Sequence, residues 1–276
     1  MHIPSTNGVT LALHDLGGTG EPLLIAHATG FCGQTYVPLT AALASSFHVW
    51  ALDFRGHGDS TAPEDGDFSW AGMGADASAA IDAISDGGLV AFGHSMGGAA
   101  LLLAELARPG ALRSVFLYEP IIFPSRAGQS GPDNPMATAA RRRRRTFPSK
   151  GAALLRYAAR TPLGVLRADA LAAYVEHGFA DDEDGTATLK CAPESEAATF
   201  EAEGKVSVEQ VAGLALTTTV GAGRSDGGDP AAFAPAIVDA MPEATLRSYP
   251  RLGHFGPLQD PDLIAEDMLA VAGRAR

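Results

Sequence analysis

Cysteine is scarce: two residues, Cys32 and Cys191, in a chain of 276. Two thiols cannot form a disulfide framework, so a packed core has to hold the chain, and free thiols fit a reducing, cytoplasmic location. Positive charge is short as well, with 20 Lys and Arg against 32 Asp and Glu and a formal charge of −12. Such a surface repels polyanions, so neither nucleic acid nor an anionic membrane is expected as a partner. Long apolar runs are missing. The strongest, around Ala99–Leu103, meets Glu105 well before the roughly 18 residues a membrane helix needs. The first residues, Met1-His2-Ile3-Pro4-Ser5, lack the basic-then-apolar pattern of a secretory leader. Neither H-E-x-x-H nor C-x-x-C occurs, and His2, His14, His48 and His177 are scattered, so no metal is expected. No G-x-G-x-x-G follows a strand-like run, and no dinucleotide or other cofactor is expected.

What is present is a hydrophobic content of 46%, enough for a substantial core. Val9–His14, Pro22–Ala26, Phe47–Leu52, Leu89–Phe92 and Val115–Tyr118 read as strands. Val37–Leu43, Ala75–Ile84 and Gly97–Ala107 read as helices between them, which implies parallel pairing with helices on both faces. The alternation lapses between residues 121 and 206. There a Pro/Gly/Ser-rich stretch (124–135), five consecutive arginines (Arg141–Arg145), helical segments at Leu154–Ala159 and Ala168–Val175, and an acidic turn (Asp181–Gly185) follow one another. It resumes with Leu214–Val220 and Ala244–Tyr249 as strands, and with Ala231–Met241 and Leu263–Val271 as helices. We therefore expect a core of residues 1–120 and 207–276 interrupted by a helical insertion, 121–206.

Gly93-His94-Ser95-Met96-Gly97 fits G-x-S-x-G, with a buried strand leading in and an apolar helix leading out. A nucleophilic serine needs that context. The cramped turn projects the hydroxyl, flanking glycines remove colliding side chains, and the helix start aims amides and a positive dipole end at the reacting oxygen. At this point the chain resembles the α/β-hydrolase superfamily. Four further segments carry the resemblance: Ile25-Ala26-His27-Ala28-Thr29-Gly30-Phe31, Asp53-Phe54-Arg55-Gly56-His57-Gly58-Asp59-Ser60, Gly221 to Asp226, and Gly253-His254-Phe255-Gly256-Pro257-Leu258.

The resemblance implies an eight-stranded, mostly parallel α/β sheet with helices on both faces and a helical cap roofing the C-terminal strand edge. It also implies a cofactor-independent serine hydrolase. Ser95 would be the nucleophile, His254 the base and Asp226 the orienting acid, in the order this superfamily uses. Asp229 and Glu119 are alternative acids. The oxyanion hole would combine the Met96 amide with that of Thr29, Phe31 being the fallback because Ala28 stands where glycine is usual. Phe31, Phe123, Phe147, Leu154 and Tyr157 are candidates to line an apolar pocket. A carboxylic ester is the expected small-molecule substrate. Lactone, amide, thioester and carbon–carbon bond hydrolysis, and perhydrolysis, run on the same triad, and some members of the superfamily are ligand receptors. A serine nucleophile argues against the aspartate-dependent dehalogenases and epoxide hydrolases. His27, His57 and His94 are expected to brace loops. The arginine run is read chiefly as a solvated cap helix paired with Asp181–Asp184, with recognition of an anionic substrate as the alternative. Oligomeric state is left open by the sequence.

Overall fold

The computed structural model describes residues 1–125, 131, 134–227 and 229–274. Much of the Pro/Gly/Ser-rich stretch, and Gly228, therefore lie outside the described residues. The first half of the chain runs β1 (His2–Pro4), β2 (Thr10–Gly18), β3 (Glu21–Ala26), α1 (Val37–Leu43), β4 (Phe47–Leu52), α2 (Trp70–Ile84), β5 (Leu89–His94), α3 (Met96–Ala107) and β6 (Leu112–Tyr118). The insertion contributes α4 (Pro135–Arg141), β7 (Thr146–Phe147), α5 (Lys150–Ala158), α6 (Ala168–Gly178), β8 (Phe179–Asp181), β9 (Ala187–Leu189) and α7 (Pro193–Glu201). The chain closes with α8 (Val208–Val211), β10 (Thr217–Gly223), α9 (Pro230–Ala240), β11 (Ala244–Tyr249), α10 (Gly256–Gln259) and α11 (Pro261–Arg274).

Eight strands form one sheet in the order β1-β2-β4-β3-β5-β6-β10-β11. The β1–β2 and β2–β4 pairs are antiparallel and all the others parallel. Side chains on a strand alternate between faces, and here both faces are buried. Leu24 and Ala26 of β3, Leu89 and Ala91 of β5, and Val115 and Leu117 of β6 join one apolar cluster. Their neighbours Leu23, Ile25, Val90, Phe92, Phe116 and Tyr118 join another. This is why the central strands read as unbroken apolar runs. The first cluster takes in α2, α3 and α9. The second takes in α1 and α11, and continues into Phe147, Leu171, Tyr174 and Phe179 of the insertion.

The helices start where the sequence supplies caps. The Ser69 hydroxyl accepts the Gly72 amide at the head of α2, and an Asp229 carboxylate oxygen accepts the Ala232 amide at the head of α9. A buried bidentate pair, Arg55 to Asp76 with both contacts at 2.8 Å, ties the loop after β4 to α2. The insertion departs from a purely helical reading. Between α4 and α7 it holds a three-stranded antiparallel sheet, β7-β9-β8, in which the acidic residues 182–184 and Gly185 make the turn of the β8–β9 hairpin.

Candidate active site

The parallel strands bring three loops to one sheet edge. At the end of β5 the backbone turns abruptly into α3, with Ser95 at the corner at φ 55° and ψ −114°. Left-handed φ is costly for a residue with a side chain, and close neighbours enforce it here. A Cβ on Gly97 would come within 2.1 Å of the Ala26 carbonyl oxygen, and one on Gly93 within 2.5 Å of the Gly98 Cα. The turn is pinned on both sides: the Ser95 amide donates to the Tyr118 carbonyl at 3.0 Å, and the Ile121 amide donates to the Ser95 carbonyl at 3.1 Å.

Glu119, directly after β6, also has positive φ, at 43°. Its amide donates to the Gly221 carbonyl at 2.9 Å. Its carboxylate is buried and accepts the Gly223 amide at 2.9 Å through Oε1 and the His254 ring at 2.7 Å through Oε2. His254 comes from the loop after β11, where Gly253 donates its amide to Gln259 and accepts the Tyr118 hydroxyl. A carboxylate can only accept, so Nδ1 of His254 carries the proton and Nε2 is left to accept. Nε2 lies 3.2 Å from the Ser95 hydroxyl oxygen. The hydroxyl proton can therefore pass to an imidazole whose tautomer and orientation are fixed from behind.

The carboxylate that meets His254 is not Asp226, the first choice made on the sequence. The Asp226 side chain is 85% exposed, and its charged neighbour is Arg224 at 3.8 Å. The reason lies in the chain path beyond β10. The Arg224 amide is drawn to the Leu252 carbonyl, and Asp229 caps the start of α9. Asp229 is spent there too, accepting from Ser225, the Asp226 amide and the Ala232 amide. Glu119 is the carboxylate that reaches His254.

A model of the alpha/beta hydrolase family matches residues 23–267. The chain belongs to the alpha/beta hydrolase family. Its sheet, with two antiparallel strands leading into six parallel ones, has the alpha/beta hydrolase fold, and solved structures agree. An E-2-(acetamidomethylene)succinate hydrolase superposes with TM-score 0.79 at 20% identity, covering 99% of both chains. A thermophilic esterase from Thermogutta terrifontis, solved with malate bound, gives 0.74 at 21% identity over 100% of this chain and 98% of its own. A structure described as an N-acyl homoserine lactone degrading enzyme gives 0.70 at 23%, covering 98% and 99%. At these identities the likeness concerns the fold. No curated protein matches the sequence significantly.

Within this alpha/beta hydrolase the amide of Met96 opens α3, where helix geometry provides no intrahelical acceptor. Thr29 is half-buried in the turn after β3. The amide of Phe31 donates to the Ala28 carbonyl at 3.1 Å, which takes the fallback donor out of play. The Phe31 ring packs on Tyr174 and on Phe255, the residue after the histidine, at centroid distances of 5.2 and 5.6 Å. Tyr157 and Phe147 belong to the same aromatic chain, and Leu154 packs on that cluster. Phe123 does not join it: its ring meets Phe233 of α9 at 5.1 Å.

The arginine run is also placed differently from expectation. Arg141 ends α4 and pairs with Glu201, Arg143 pairs with Glu196, and Arg144 stacks over the Phe147 ring. Their acidic partners lie on α7, and Asp181 is taken by Lys150. Arg143, with Glu196 and the hydroxyls of Tyr174 and Tyr157, lies against Gly30 of the loop after β3. Nothing in the run's sequence singles out Arg143 from its four neighbours.

His14, Asp53 and Asp59 bring ligand-type atoms within 4.8 Å of one another, but all are engaged. His14 pairs with Asp53, Asp53 also accepts the Gly33 and Asp59 amides, and Asp59 pairs with Lys190. A groove of about 620 Å³ lined by Ser5, Thr6 and residues of α2 and α3, among them Ala71, Gly74 and Ala107, includes none of the residues around Ser95. No described helix is long and apolar enough to cross a membrane.

His27, His57 and His94 are fully buried. His27 donates from Nδ1 to the Ala28 carbonyl and accepts the Phe54 amide at Nε2, and His57 donates to the Arg55 carbonyl. Burial lowers the pKa of all three, that of His27 to about 3. In the unfolded chain each returns to about 6.5. Below that value the unfolded state binds more protons than the native state, so stability is complete above about pH 6.5 and is lost as pH falls toward the native values. One such group contributes a slope of at most about 1.4 kcal/mol per pH unit. Tm is expected to fall steeply between pH 6.5 and 5, above the carboxylate range, with net proton uptake on unfolding. Calorimetry across that window checks it, and a flat Tm would contradict neutral, buried imidazoles.

Proposed function

We propose that this chain is a cofactor-independent serine hydrolase that cleaves carboxylic esters through an acyl-enzyme. Ser95 is the nucleophile, His254 the base and then the acid, and Glu119 the group that orients the imidazole and stabilises its cation. The observation that carries the reading is the continuous array from the Glu119 carboxylate through His254 to the Ser95 hydroxyl, at 2.7 and 3.2 Å. The Met96 and Thr29 amides form the oxyanion hole, where charge develops in the tetrahedral intermediate. The insertion, residues 121–206, acts as the cap. Its aromatic side chains Phe147 and Tyr157, continuous with Phe31, give the acyl or alcohol group an apolar wall. The substrate is a small molecule, and the location is cytoplasmic.

A chain-length series of p-nitrophenyl esters tests this. Mixing at high enzyme concentration is expected to release p-nitrophenol in a burst of one equivalent per chain, followed by slower steady turnover, with an optimum in acyl length. Lactones and amides belong in the same panel, because the fold is shared by proteins named for different substrates. No turnover on any of these bonds would defeat the enzyme reading in favour of ligand reception.

A further inference from the structure

His94, the residue before Ser95, is fully buried and is not part of the proton path described above. Its hydrogen bonds nevertheless run to two loops that the reaction needs. Nε2 lies 2.7 Å from the backbone carbonyl oxygen of His254. A carbonyl can only accept, so Nε2 carries the proton. Nδ1 must then accept, and its partner at 2.7 Å is the Tyr36 hydroxyl, whose proton is thereby committed to His94. The Tyr36 oxygen in turn accepts the Ala28 amide at 3.2 Å. Donor and acceptor roles are forced at every joint, so the chain has one sense: Ala28 amide to Tyr36, Tyr36 to His94, His94 to the His254 carbonyl. Burial holds the His94 pKa well below its ordinary value, which keeps the ring neutral and preserves that sense at working pH.

We propose that Tyr36 and His94 are positioning residues that lock the loop after β3 and the loop bearing His254 into one register. The proposal rests on the serine-hydrolase reading of Ser95. The Ala28 residue is gripped on both sides. Its amide goes to Tyr36, and its carbonyl accepts the His27 ring at 2.8 Å and the Phe31 amide at 3.1 Å. In a trans peptide the N–H points opposite to the preceding carbonyl, so fixing the Ala28 carbonyl also fixes the direction of the Thr29 N–H. At the other end the grip is on the backbone of His254 itself, whose ring must keep Ser95 and Glu119 in reach together. Donors and bases held in place before the reaction cost no reorganisation during it. The benefit therefore falls on the transition state rather than on substrate binding.

The test compares wild type, Tyr36→Phe, His94→Leu and His94→Gln on a p-nitrophenyl ester, with kcat counted per competent site from the burst and Tm measured alongside. Tyr36→Phe is nearly isosteric and is the variant expected to stay folded. It should lower kcat about 10- to 100-fold with KM within about twofold. His94→Leu should lose more, and His94→Gln, which can still present an N–H toward the His254 carbonyl, should recover part of that loss. If wild-type turnover depends on Ser95 while Tyr36→Phe lowers only Tm and leaves kcat per site at the wild-type value, the positioning role is wrong and the pair is structural. A loss confined to KM would equally overturn it. If wild type itself shows no Ser95-dependent turnover, the hydrolase reading fails and takes the proposal with it.

Discussion

Ser95→Ala is expected to lower kcat/KM on p-nitrophenyl esters about 10⁵- to 10⁶-fold, to the residual level that binding and oxyanion stabilisation give without a nucleophile. The fold should hardly notice. Among the described residues the hydroxyl has one partner, His254 at 3.2 Å, and the strained corner at φ 55° is imposed from outside the side chain. A Gly97 Cβ has no room beside the Ala26 carbonyl, and the Ser95 backbone is bonded to Tyr118 and Ile121. Alanine inherits that corner unchanged. Activity and Tm therefore separate: the variant should lose the burst and all measurable turnover while unfolding near the wild-type temperature. A variant that keeps full turnover would remove Ser95 from the chemistry. One that loses turnover only by unfolding would show that the hydroxyl supports the loop.

The sharp turn at Ser95 was legible because its signals are local. Glycines on both sides of a serine, between an apolar strand and an apolar helix, describe a steric situation that the sequence spells out within a few residues. The central strands were legible for a related reason, since burial on both faces leaves only apolar residues to read. The carboxylate that meets His254 was not legible in this local way. Glu119 and Asp226 both stand after sheet strands, and choosing between them depends on where the loop after β10 goes. That path is set by a backbone bond from Arg224 to Leu252 and by the capping of α9, neither of which leaves a mark on the residues near Glu119. The insertion was harder still. Strands of two or three residues, such as β7, β8 and β9, are too short to show a period, and they exist because they pair with each other. The arginine run misled for the complementary reason: like charges in a row look alike until packing draws Arg143 inward and leaves Arg142 exposed. Tyr36 carried no sequence signal, because its role depends on contacts with Ala28 and His94, the latter 58 residues away.

Exchanging the acid gives the sharpest test of the proposed machinery, because two carboxylates predict opposite results. Glu119→Gln should lower kcat about 10³- to 10⁴-fold, whereas Asp226→Asn should stay within about twofold of wild type. The size of the first effect follows from hydrogen-bond direction. Oε1 of Glu119 accepts the Gly223 amide at 2.9 Å, so the oxygen of an introduced amide is drawn to that side. Its NH₂ then faces His254, and a donor there requires Nδ1 to accept. The ring has to move its proton to Nε2, the atom that must take the proton from Ser95. The variant thus keeps shape and volume but holds the base in the tautomer that cannot act, and the imidazolium formed during the reaction loses its counter-charge. Asp226→Asn alters only a charge at the surface beside Arg224, where screening leaves little of it to matter. If Asp226→Asn instead caused the large loss while Glu119→Gln kept its kcat, the loop after β10 would have to reach His254 in the working enzyme, and the acid assigned here would be wrong. Glu119→Asp separates charge from reach: a carboxylate one methylene shorter preserves the acceptor but retreats from an imidazole now at 2.7 Å. Its activity should fall between those of wild type and Glu119→Gln.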